Sequence, residues 1–322
     1  MTNLAIAASG LRKSYRDKTG EKVVLDGIDL AVPEGTIFSL LGPNGAGKTT
    51  TVQILSTLIA PDAGDVQVAG HDLARNPDDV RGAIGVTGQC SAVDKLLTGR
   101  ENLLLMANLK HLPKAEGKRK ADELLERFDL VEAAGKPAST YSGGMQRRLD
   151  LAMTLVGDPR LIFLDEPTTG LDPRSRRAMW QIVRELVATG VTIFLTTQYL
   201  EEADQLADHI ALLDQGRLIA QGTANELKRL IPGGHVTLRF TDEAPLKNAL
   251  DVLGQGFLDT SDDARLTLQV PNDGSVAALR GLLAQLEAAR IEPAELSVHT
   301  PDLDDVFLTL TGQRNDQKQE TV

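Results

Sequence analysis

Residues 42–50 read GPNGAGKTT, and this stretch decides the fold that the chain is expected to adopt. It matches the pattern G-x-x-x-x-G-K-[ST], in which backbone N–H groups surround a phosphate at the start of a helix. The flanking sequence fits, because the apolar run 36–41 predicts a strand before the motif and residues 49–59 predict a helix after it. The residues expected to bind a nucleotide are Gly42, Pro43, Asn44, Gly45, Ala46, Gly47, Lys48, Thr49 and Thr50.

Two side chains of this loop carry the expected chemistry. Lys48 is expected to reach the β- and γ-phosphates and to serve catalysis there, and the Thr49 hydroxyl is expected to ligate Mg²⁺. The alternative is a glycine-rich turn before an ordinary helix. We disfavour that alternative because the strand, the glycines, the lysine and the threonine all fall in register.

The second motif occupies residues 161–166 and reads LIFLDE. Four apolar residues predict a buried strand, and two carboxylates follow at its carboxyl end, where open α/β sheets bind ligands. Asp165 is expected to hold Mg²⁺ directly or through water, and Glu166 is expected to polarise the attacking water. Alone, such a strand end indicates a solvated acidic turn, but the phosphate-loop motif argues against that interpretation.

The third motif occupies residues 141–146 and reads YSGGMQ. Ser142 can cap the helix that follows, and Gly143 and Gly144 allow a ligand to approach the backbone closely. In isolation this pattern indicates only a helix cap. Its position between the phosphate loop and the acidic strand indicates more than a cap, as the family resemblance below explains.

These three motifs, in this order and spacing, resemble those of the ATP-binding cassette (ABC) ATPases, and the resemblance covers residues 1 to about 230. In that family two cassettes face each other head to tail, with two ATP molecules in the shared interface. The resemblance implies a homodimer in which Ser142, Gly143 and Gly144 bind the γ-phosphate of the ATP held by the opposite subunit. A helix N-terminus directed at an anion gives this contact a physical basis.

The resemblance assigns three further positions. Tyr15 matches the aromatic residue that stacks on adenine, and the alternative is an exposed strand aromatic. Gln89 matches the glutamine that senses Mg²⁺ and the attacking water, and the alternative is a solvated loop amide. Asp172 matches the key residue of a loop between the two nucleotide sites, and the alternative is an aspartate that starts a helix.

One position departs from the family pattern. The family usually has a histidine that contacts the γ-phosphate after the strand predicted at 191–196, and Gln198 stands there instead. Gln198 is still expected to serve catalysis through a hydrogen bond to a phosphate oxygen, but glutamine carries no positive charge and shuttles no proton at neutral pH. We therefore expect Glu166 to be the sole base of the hydrolysis.

A narrower resemblance concerns four segments, residues 85–103, 141–152, 195–208 and 301–312. They look like the ATPase subunits of daunorubicin/doxorubicin-resistance-type exporters, a group in which glutamine commonly replaces the histidine. Such subunits work with a separate six-helix permease. The resemblance implies an export subunit held by its permease at the cytoplasmic face of the cell membrane, and a drug as the cargo is an association of the group.

Composition and charge narrow the remaining possibilities. The chain has 322 residues, a net charge of −11 and a pI of about 5.0, so we expect two domains and no nucleic-acid partner. The single cysteine, Cys90, excludes an internal disulfide. No apolar run reaches the roughly 18–20 residues that span a bilayer, and the amino terminus lacks a signal-peptide pattern. We expect a cytoplasmic protein whose membrane role comes from a partner chain.

The expected fold is an α/β, ABC-type P-loop NTPase domain at residues 1–230, with a helical subdomain at about 100–134, followed by a small α+β domain at residues 235–312. The second domain shows the predicted order β-α-β-β-α-β of a ferredoxin-like split βαβ pattern. We expect it to stabilise or regulate a dimer, and the alternative is a packing appendage. Residues 313–322 are polar and are predicted to be a disordered tail.

A competing function is that of a soluble ABC ATPase that acts on nucleic acid or ribosomes. Ribosome-acting members carry two cassettes in one chain, and DNA-repair members insert long coiled coils or zinc modules. This sequence has one cassette motif set, no heptads and no CxxC pair, so we favour the export subunit.

Overall fold

The computed structural model divides the chain into two compact units, Met1–Ala224 and Asn225–Val322, close to the boundary expected near residue 230. No helix in the described ranges is long and apolar enough to cross a bilayer. Cys90 lies outside the described residues, which are 3–17, 20–89, 91–231, 234–254, 257–258, 266–272 and 275–319.

The first unit alternates strands with helices over most of its length. Its strands are β1 Leu4–Asp17, β2 Gly20–Pro33, β3 Ile37–Leu41, β4 Ala63–Val68, β5 His71–Asp72, β6 Ile84–Thr87, β7 Leu161–Asp165, β8 Thr192–Thr197, β9 His209–Asp214 and β10 Arg217–Gly222. Its helices are α1 Lys48–Leu55, α2 Pro77–Ala83, α3 Gly99–Leu109, α4 Lys114–Arg127, α5 Gly143–Thr154, α6 Pro173–Ala188 and α7 Leu200–Leu206, and α8 Ala224–Lys228 lies at the junction of the units.

The central sheet of this unit has the strand order β10-β9-β3-β8-β7-β6. Strands β9, β3, β8, β7 and β6 are parallel, and β10 pairs antiparallel with β9. A second sheet is antiparallel and has the order β2-β1-β4-β5. The predicted α/β class is confirmed, and the carboxyl ends of the parallel strands meet at one edge of the sheet.

The central strands are buried on both faces, which explains why they read as uninterrupted apolar runs. The rings of Phe163 and Phe194, with centroids 5.6 Å apart, pack in the core that includes the antiparallel sheet. Their neighbours Ile162 and Ile193 pack in the core formed with the helices. Burial on both sides holds the strand ends in place, and with them the loops that follow.

Some boundaries differ from the sequence-based expectations. The apolar runs 23–25 and 28–32, which the sequence pattern predicts as two strands, belong to the single strand β2, because Gly27 adopts a φ of 74° at a shift in register and lets the strand continue past it. Helix α1 ends at Leu55 and not at residue 59, and Thr57 beyond it takes a left-handed conformation with φ of 65°. Strands β6 and β10 were not expected from the sequence pattern.

The second unit contains β11 His235–Arg239, α9 Glu243–Leu253, β12 Phe257–Leu258, β13 Thr267–Pro271, α10 Val276–Ala288, β14 Glu295–His299 and α11 Leu303–Gln319. Its sheet has the order β12-β13-β11-β14, and each neighbouring pair is antiparallel. The element order β-α-β-β-α-β agrees with the expectation, and the ferredoxin-like class stays a prediction. Helix α11 continues to Gln319, so residues 313–319 of the expected disordered tail are helical, and residues 320–322 lie outside the described residues.

Candidate nucleotide site

The loops that carry most of the expected site residues meet at the carboxyl edge of the central sheet. The phosphate loop follows β3, and Gln198 directly follows β8. Asp165 ends β7, and Gln89 lies two residues beyond β6. The Gly42 N–H donates to the Thr197 carbonyl at 3.3 Å, so the phosphate loop is also tied to the neighbouring strand end. The order of the parallel strands therefore positions these residues.

Two glycines of the phosphate loop are required by its packing. Gly47 has a φ of 115°, and a Cβ at this position would lie 2.7 Å from Leu25 Cδ2. A Cβ on Gly42 would collide with the backbone carbonyl oxygen of Leu213. Within the described residues no side chain caps α1, and a helix start of this kind suits an anion.

Lys48 is buried at the start of α1. Its Nζ donates hydrogen bonds to the carbonyl oxygens of Gly42 at 2.8 Å and Pro43 at 3.1 Å, and it lies 3.5 Å from Glu166 Oε1. Burial lowers the pKa of Lys48 from its ordinary value, and the Glu166 carboxylate opposes this shift. The ammonium group is thus held at the loop by two neutral carbonyls and one carboxylate, with which a phosphate would compete.

Oxygen-bearing side chains cluster next to Lys48 and form a candidate metal site. The Thr49 hydroxyl donates to Asp165 Oδ1 at 3.5 Å, and Gln89 Nε2 donates to Thr49 Oγ1 at 3.4 Å. The Thr196 hydroxyl also donates to Asp165 Oδ1. A hydroxyl, a carboxylate and a carboxamide are hard oxygen donors of the kind that Mg²⁺ prefers, so the residues present fit this ion. The structure brings the three expected metal ligands, Thr49, Gln89 and Asp165, together.

Glu166 follows β7 in a left-handed conformation with φ of 49°, which is uncommon for a residue with a side chain. Its N–H donates to the carbonyl oxygen of Thr196 at 3.1 Å and to the hydroxyl oxygen at 3.2 Å. The Thr169 hydroxyl donates to Glu166 Oε2 at 3.3 Å. These bonds fix a turned backbone that places the carboxylate beside Lys48.

Two of the expected nucleotide-binding residues are helix caps. Ser142 caps α5 by accepting the N–H of Met145 at 3.3 Å. Asp172 caps α6 by accepting the N–H groups of Arg174 and Ser175 at 3.0 Å. The Ser175 hydroxyl donates to the other Asp172 oxygen at 2.5 Å and, as the largest cause, lowers the pKa of this carboxyl. Capping alone accounts for both residues, so their contacts to a nucleotide stay predictions.

The starts of α5 and α6 are also in close contact. A Cβ on Gly144 would lie 2.7 Å from Ser175 Oγ, so only glycine fits here without movement. A cavity of about 280 Å³ adjoins this contact, and Ser142, Arg148 and Arg174 line it. The start of the motif at residues 141–146, called the glycine motif below, is therefore open. Arg174 and Arg148 border it, as does Asp129, which pairs with Arg148 at 3.1 Å.

Tyr15 and Gln198 have fewer contacts. Tyr15 lies in β1 and is 44% exposed, with Lys13 Nζ 5.7 Å from the centre of its ring. Lys13 donates to Asp62 Oδ1 at 2.8 Å, which fastens this strand to the segment after α1. Gln198 is half-buried. The expected contacts of Tyr15 to adenine and of Gln198 to phosphate stay predictions.

Arg147 on α5 is a residue of the site that the sequence reasoning missed. Its guanidinium donates to the carbonyl oxygens of Gly88 at 2.9 Å, Pro167 at 2.9 Å and Asp165 at 3.3 Å. Burial lowers the pKa of Arg147, and its ion pair with Asp150 at 3.2 Å opposes the shift. This one side chain ties α5 to the loops after β6 and β7. The only signal in the sequence was a basic and an acidic residue three positions apart in a largely apolar helix.

A second cavity, of about 320 Å³, opens beside Arg147. Its lining includes Gln89 from the loop after β6, Glu166 from the loop after β7 and Gly143 from the start of α5. Gln89, expected to sense the metal, and Glu166, the expected base, therefore line the same cavity as Gly143.

Residues 25–169 match the family described as ABC transporter. The chain is 49% identical over 312 residues to a daunorubicin resistance ATP-binding protein of Streptomyces coeruleorubidus, with 97% of each chain covered. It is 39% identical over 310 residues to a Nod factor export ATP-binding protein of Ralstonia nicotianae, with 96% of this chain and 94% of the relative covered. A solved ATP-binding cassette, a dimer in a post-hydrolysis state bound to ADP and Pi, aligns with a TM-score of 0.62 at 26% identity, over 68% of this chain and 98% of that chain.

The family match spans the phosphate loop and the acidic strand end, and the sequence identity extends over nearly the whole chain. Both motifs lie in the geometry described above, with Lys48 beside Glu166 and Thr49 beside Asp165. The chain is therefore an ATPase that belongs to the ATP-binding proteins of ABC transporters, in the group of the daunorubicin-resistance proteins.

Proposed function

We propose that this protein is the ATP-binding and ATP-hydrolysing subunit of an export transporter, and that it powers a separate membrane permease through ATP-driven dimerisation. The observation that supports the proposal most directly is the convergence of Lys48, Thr49, Asp165 and Glu166 at one edge of the sheet. ATP hydrolysis follows from the family. The roles of the individual residues and of the partners are the proposal.

In this proposal Lys48 releases the carbonyls of Gly42 and Pro43 and binds the β- and γ-phosphates. Thr49, Asp165 and Gln89 would hold Mg²⁺, which when bound neutralises part of the phosphate charge. Glu166 accepts a proton from the water that attacks the γ-phosphorus. Because Lys48 neutralises Glu166 in the structure, binding of the phosphate to Lys48 also frees the base.

A dimer is proposed because the glycine motif is exposed. Ser142 and Gly143 are exposed at the start of α5, and Arg148 and Arg174 line the adjoining cavity. Arg148 is paired with Asp129, so Arg174 is the cation that the proposal relies on, and a helix N-terminus beside it suits the terminal phosphate of a nucleotide bound by a second copy. In such a dimer Asp172 would belong to the loop that passes between the two nucleotide sites. The dimeric state of the solved relative supports the formation of a dimer.

The permease is proposed to dock on the segment between Gln89 and Ser142. Large apolar side chains are exposed there: Leu96 is 88% exposed, Leu109 63% and Val131 58%. The proposal takes these exposed side chains as parts of one docking surface, because a contiguous apolar patch indicates an interaction site. Docking at this segment would place the protein at the cytoplasmic face of the membrane and link the permease to Gln89.

The cargo is proposed to be a drug or antibiotic. This inference comes from the resistance function named for the Streptomyces relative. The Nod factor relative, at lower identity, has a different cargo named. The permease rather than the ATPase is expected to select between such molecules.

Affinity purification of a tagged Glu166→Gln protein from detergent-solubilised native membranes, with MgATP present, tests the proposal. The variant is expected to bind ATP, to lose nearly all turnover and to bring down a stoichiometric multi-span membrane protein. Lys48→Met, which should not bind ATP, serves as the matched control for ATP-dependent capture. Recovery of only soluble ribosomal or nucleic-acid-bound partners would contradict the export role. Normal ATP turnover by Glu166→Gln would contradict the assignment of the base.

A further inference from the structure

Glu202, on α7, connects two of the loops at the nucleotide site, although none of the three nucleotide motifs includes it and no role was expected for it. Its side chain is fully buried. Its Oε1 accepts a hydrogen bond from the Thr168 hydroxyl at 2.8 Å and another from Trp180 Nε1 at 3.0 Å. Thr168, also fully buried, lies two residues beyond Glu166, and Glu202 lies four residues beyond Gln198. A single carboxylate oxygen thus joins the loop after β7, helix α6 and the segment after β8.

The other oxygen of this carboxylate argues against a purely structural role. Glu202 Oε2 is buried and has no hydrogen-bond partner within the described ranges of the chain. Burying a carboxylate that is only half satisfied is costly, and an apolar side chain of similar volume would serve packing better. The acid is therefore explained by what Oε1 holds in place, together with the favourable interaction of its charge with the buried Arg147 guanidinium.

The residues that Glu202 holds belong to the loop proposed to carry catalysis. Residues 166–172 begin with the left-handed Glu166 and end with Asp172, the cap of α6. Within the loop, the Leu171 N–H donates to the Thr168 carbonyl at 3.1 Å. Thr168 therefore connects to the rest of the loop through its backbone and to Glu202 through its hydroxyl.

We propose that Glu202 is a positioning residue for ATP hydrolysis. By holding Thr168 against Trp180, it fixes the loop 166–172 in the geometry in which Glu166 acts, and it keeps that loop in register with the segment of Gln198. Glu202 acts through the loop and not by contact with the reacting atoms. The inference rests on the proposed role of Glu166 as the base.

Steady-state ATPase kinetics of the full chain, with the melting temperature and the MgATP affinity of each variant, test this role. Thr168→Val removes the hydroxyl at nearly constant volume, and Glu202→Leu removes the acceptor. Each is expected to lower kcat at least about tenfold with KM for ATP changed less than about twofold, because a small displacement of a catalytic group is costly. Glu202→Gln keeps an oxygen acceptor and should restore kcat to within about threefold of wild type. Glu201→Gln, an exposed change of the same charge on the same helix turn, is the control.

The double variant Thr168→Val/Glu202→Leu separates a shared role from two independent ones. It should be no slower than the slower single variant, because both changes break the same contact. If Glu202→Leu does not fold, Thr168→Val alone carries the test of kcat against KM. A lowered melting temperature with a normal kcat per folded molecule would make Glu202 structural only and overturn the proposal, and so would single effects that multiply in the double variant.

Glu166→Gln is measured in parallel so that the two proposals fail separately. Normal turnover by Glu166→Gln would show that Glu166 is not the base, and the proposed role of Glu202 in positioning the loop would then lose its purpose. Lost turnover by Glu166→Gln together with normal turnover by Thr168→Val would leave the base in place and overturn only the role of Glu202.

Discussion

The Lys48 ammonium lies 3.5 Å from the Glu166 carboxylate, although the two residues are proposed to act on different partners during hydrolysis. Lys48 would bind phosphate, whereas Glu166 would take a proton from water. With side-chain exposures of 5% and 10%, the two groups neutralise each other away from solvent. In the proposed mechanism a γ-phosphate that binds Lys48 would release Glu166, so the proposed base would become available only with the nucleotide fully bound.

Loss of the Lys48 charge should destabilise the protein when no nucleotide is present. Lys48→Met leaves the Glu166 carboxylate buried without its cation, which we expect to lower the free energy of unfolding by about 1–3 kcal/mol. The double variant Lys48→Met/Glu166→Gln should recover part of this loss, because the uncompensated charge is gone. Urea denaturation followed by circular dichroism measures both effects.

The matched control for this experiment is Arg119→Met. Arg119 and Glu123 also lie 3.5 Å apart, but their side chains are 70% and 49% exposed. An exposed pair contributes little, so the change should stay below about 0.5 kcal/mol. Similar losses in Lys48→Met and Arg119→Met would show that the buried pair has no special role.

The candidate metal site formed by Thr49, Gln89 and Asp165 predicts a specific effect of metal removal on ATP hydrolysis. Asp165→Asn weakens the charge that Mg²⁺ requires but keeps an oxygen that accepts the Thr196 hydroxyl. We expect wild-type protein to hydrolyse ATP with Mg²⁺ and to lose this activity in EDTA, and Asp165→Asn to be inactive in both conditions. Asp158→Asn, the same change at an exposed carboxylate, should behave like wild type. Mg²⁺-dependent hydrolysis by Asp165→Asn at the wild-type rate would contradict the assignment.

The short motifs of this chain could be predicted from sequence because their chemistry is local. A phosphate loop needs particular glycines, and a lysine and a threonine at the helix start, all within nine residues. Thr196 and Glu202 could not be predicted in the same way. Thr196 reads as an ordinary β-branched strand residue, and its contact with Asp165 arises only when β7 and β8 pair. Glu202 reads as a solvated helix acid, and only the packing of α6 and α7 buries it.

The extent of several elements was also beyond prediction. Residues 23–25 and 28–32 form two separate apolar runs, but a glycine at positive φ between them allows a bulge within one strand, and pairing with β1 makes them a single strand. The polar composition of residues 313–322 favoured disorder, yet α11 extends to Gln319. A polar composition indicates that side chains stay exposed to solvent. A helix does not need buried side chains along its whole length, so it can continue through a polar segment.

The contact between the starts of α5 and α6 predicts the effect of a single methyl group. In Gly144→Ala the new Cβ would lie 2.7 Å from Ser175 Oγ and should displace the start of α5. ATP affinity should change less than about twofold, because the phosphate loop is on other elements, whereas kcat should fall at least about tenfold as the proposed second phosphate contact moves. The rate of ATP hydrolysis and the binding of a fluorescent ATP analogue measure the two quantities.

A second substitution separates this clash from a general loss of structure. Ser175→Gly removes both atoms that the new methyl group would meet, so Gly144→Ala should slow ATP hydrolysis much less in the Ser175→Gly background than in wild type. Gly281→Ala on α10, where a Cβ meets nothing within 4 Å, is the control for adding a methyl group to a helix. An undiminished effect in the Ser175→Gly background would contradict the steric explanation.

The stability of the strand that carries Tyr15 should depend on pH through Asp62. The Asp62 carboxylate accepts hydrogen bonds from Lys13 Nζ at 2.8 Å and the Ser14 N–H at 2.6 Å, and these bonds, that of Lys13 foremost, lower its pKa from 3.8 to about 2. A carboxyl with a depressed folded pKa contributes stability that is complete above its unfolded pKa and is lost as the pH falls through the folded value. Asp62→Asn should therefore be less stable than wild type above pH 3.8, with a difference that shrinks as the pH falls from 3.8 to about 2. Urea unfolding across this range measures the difference, with the exposed Asp65→Asn as control, and a difference that does not vary with pH would show that Asp62 acts through its shape and not its charge.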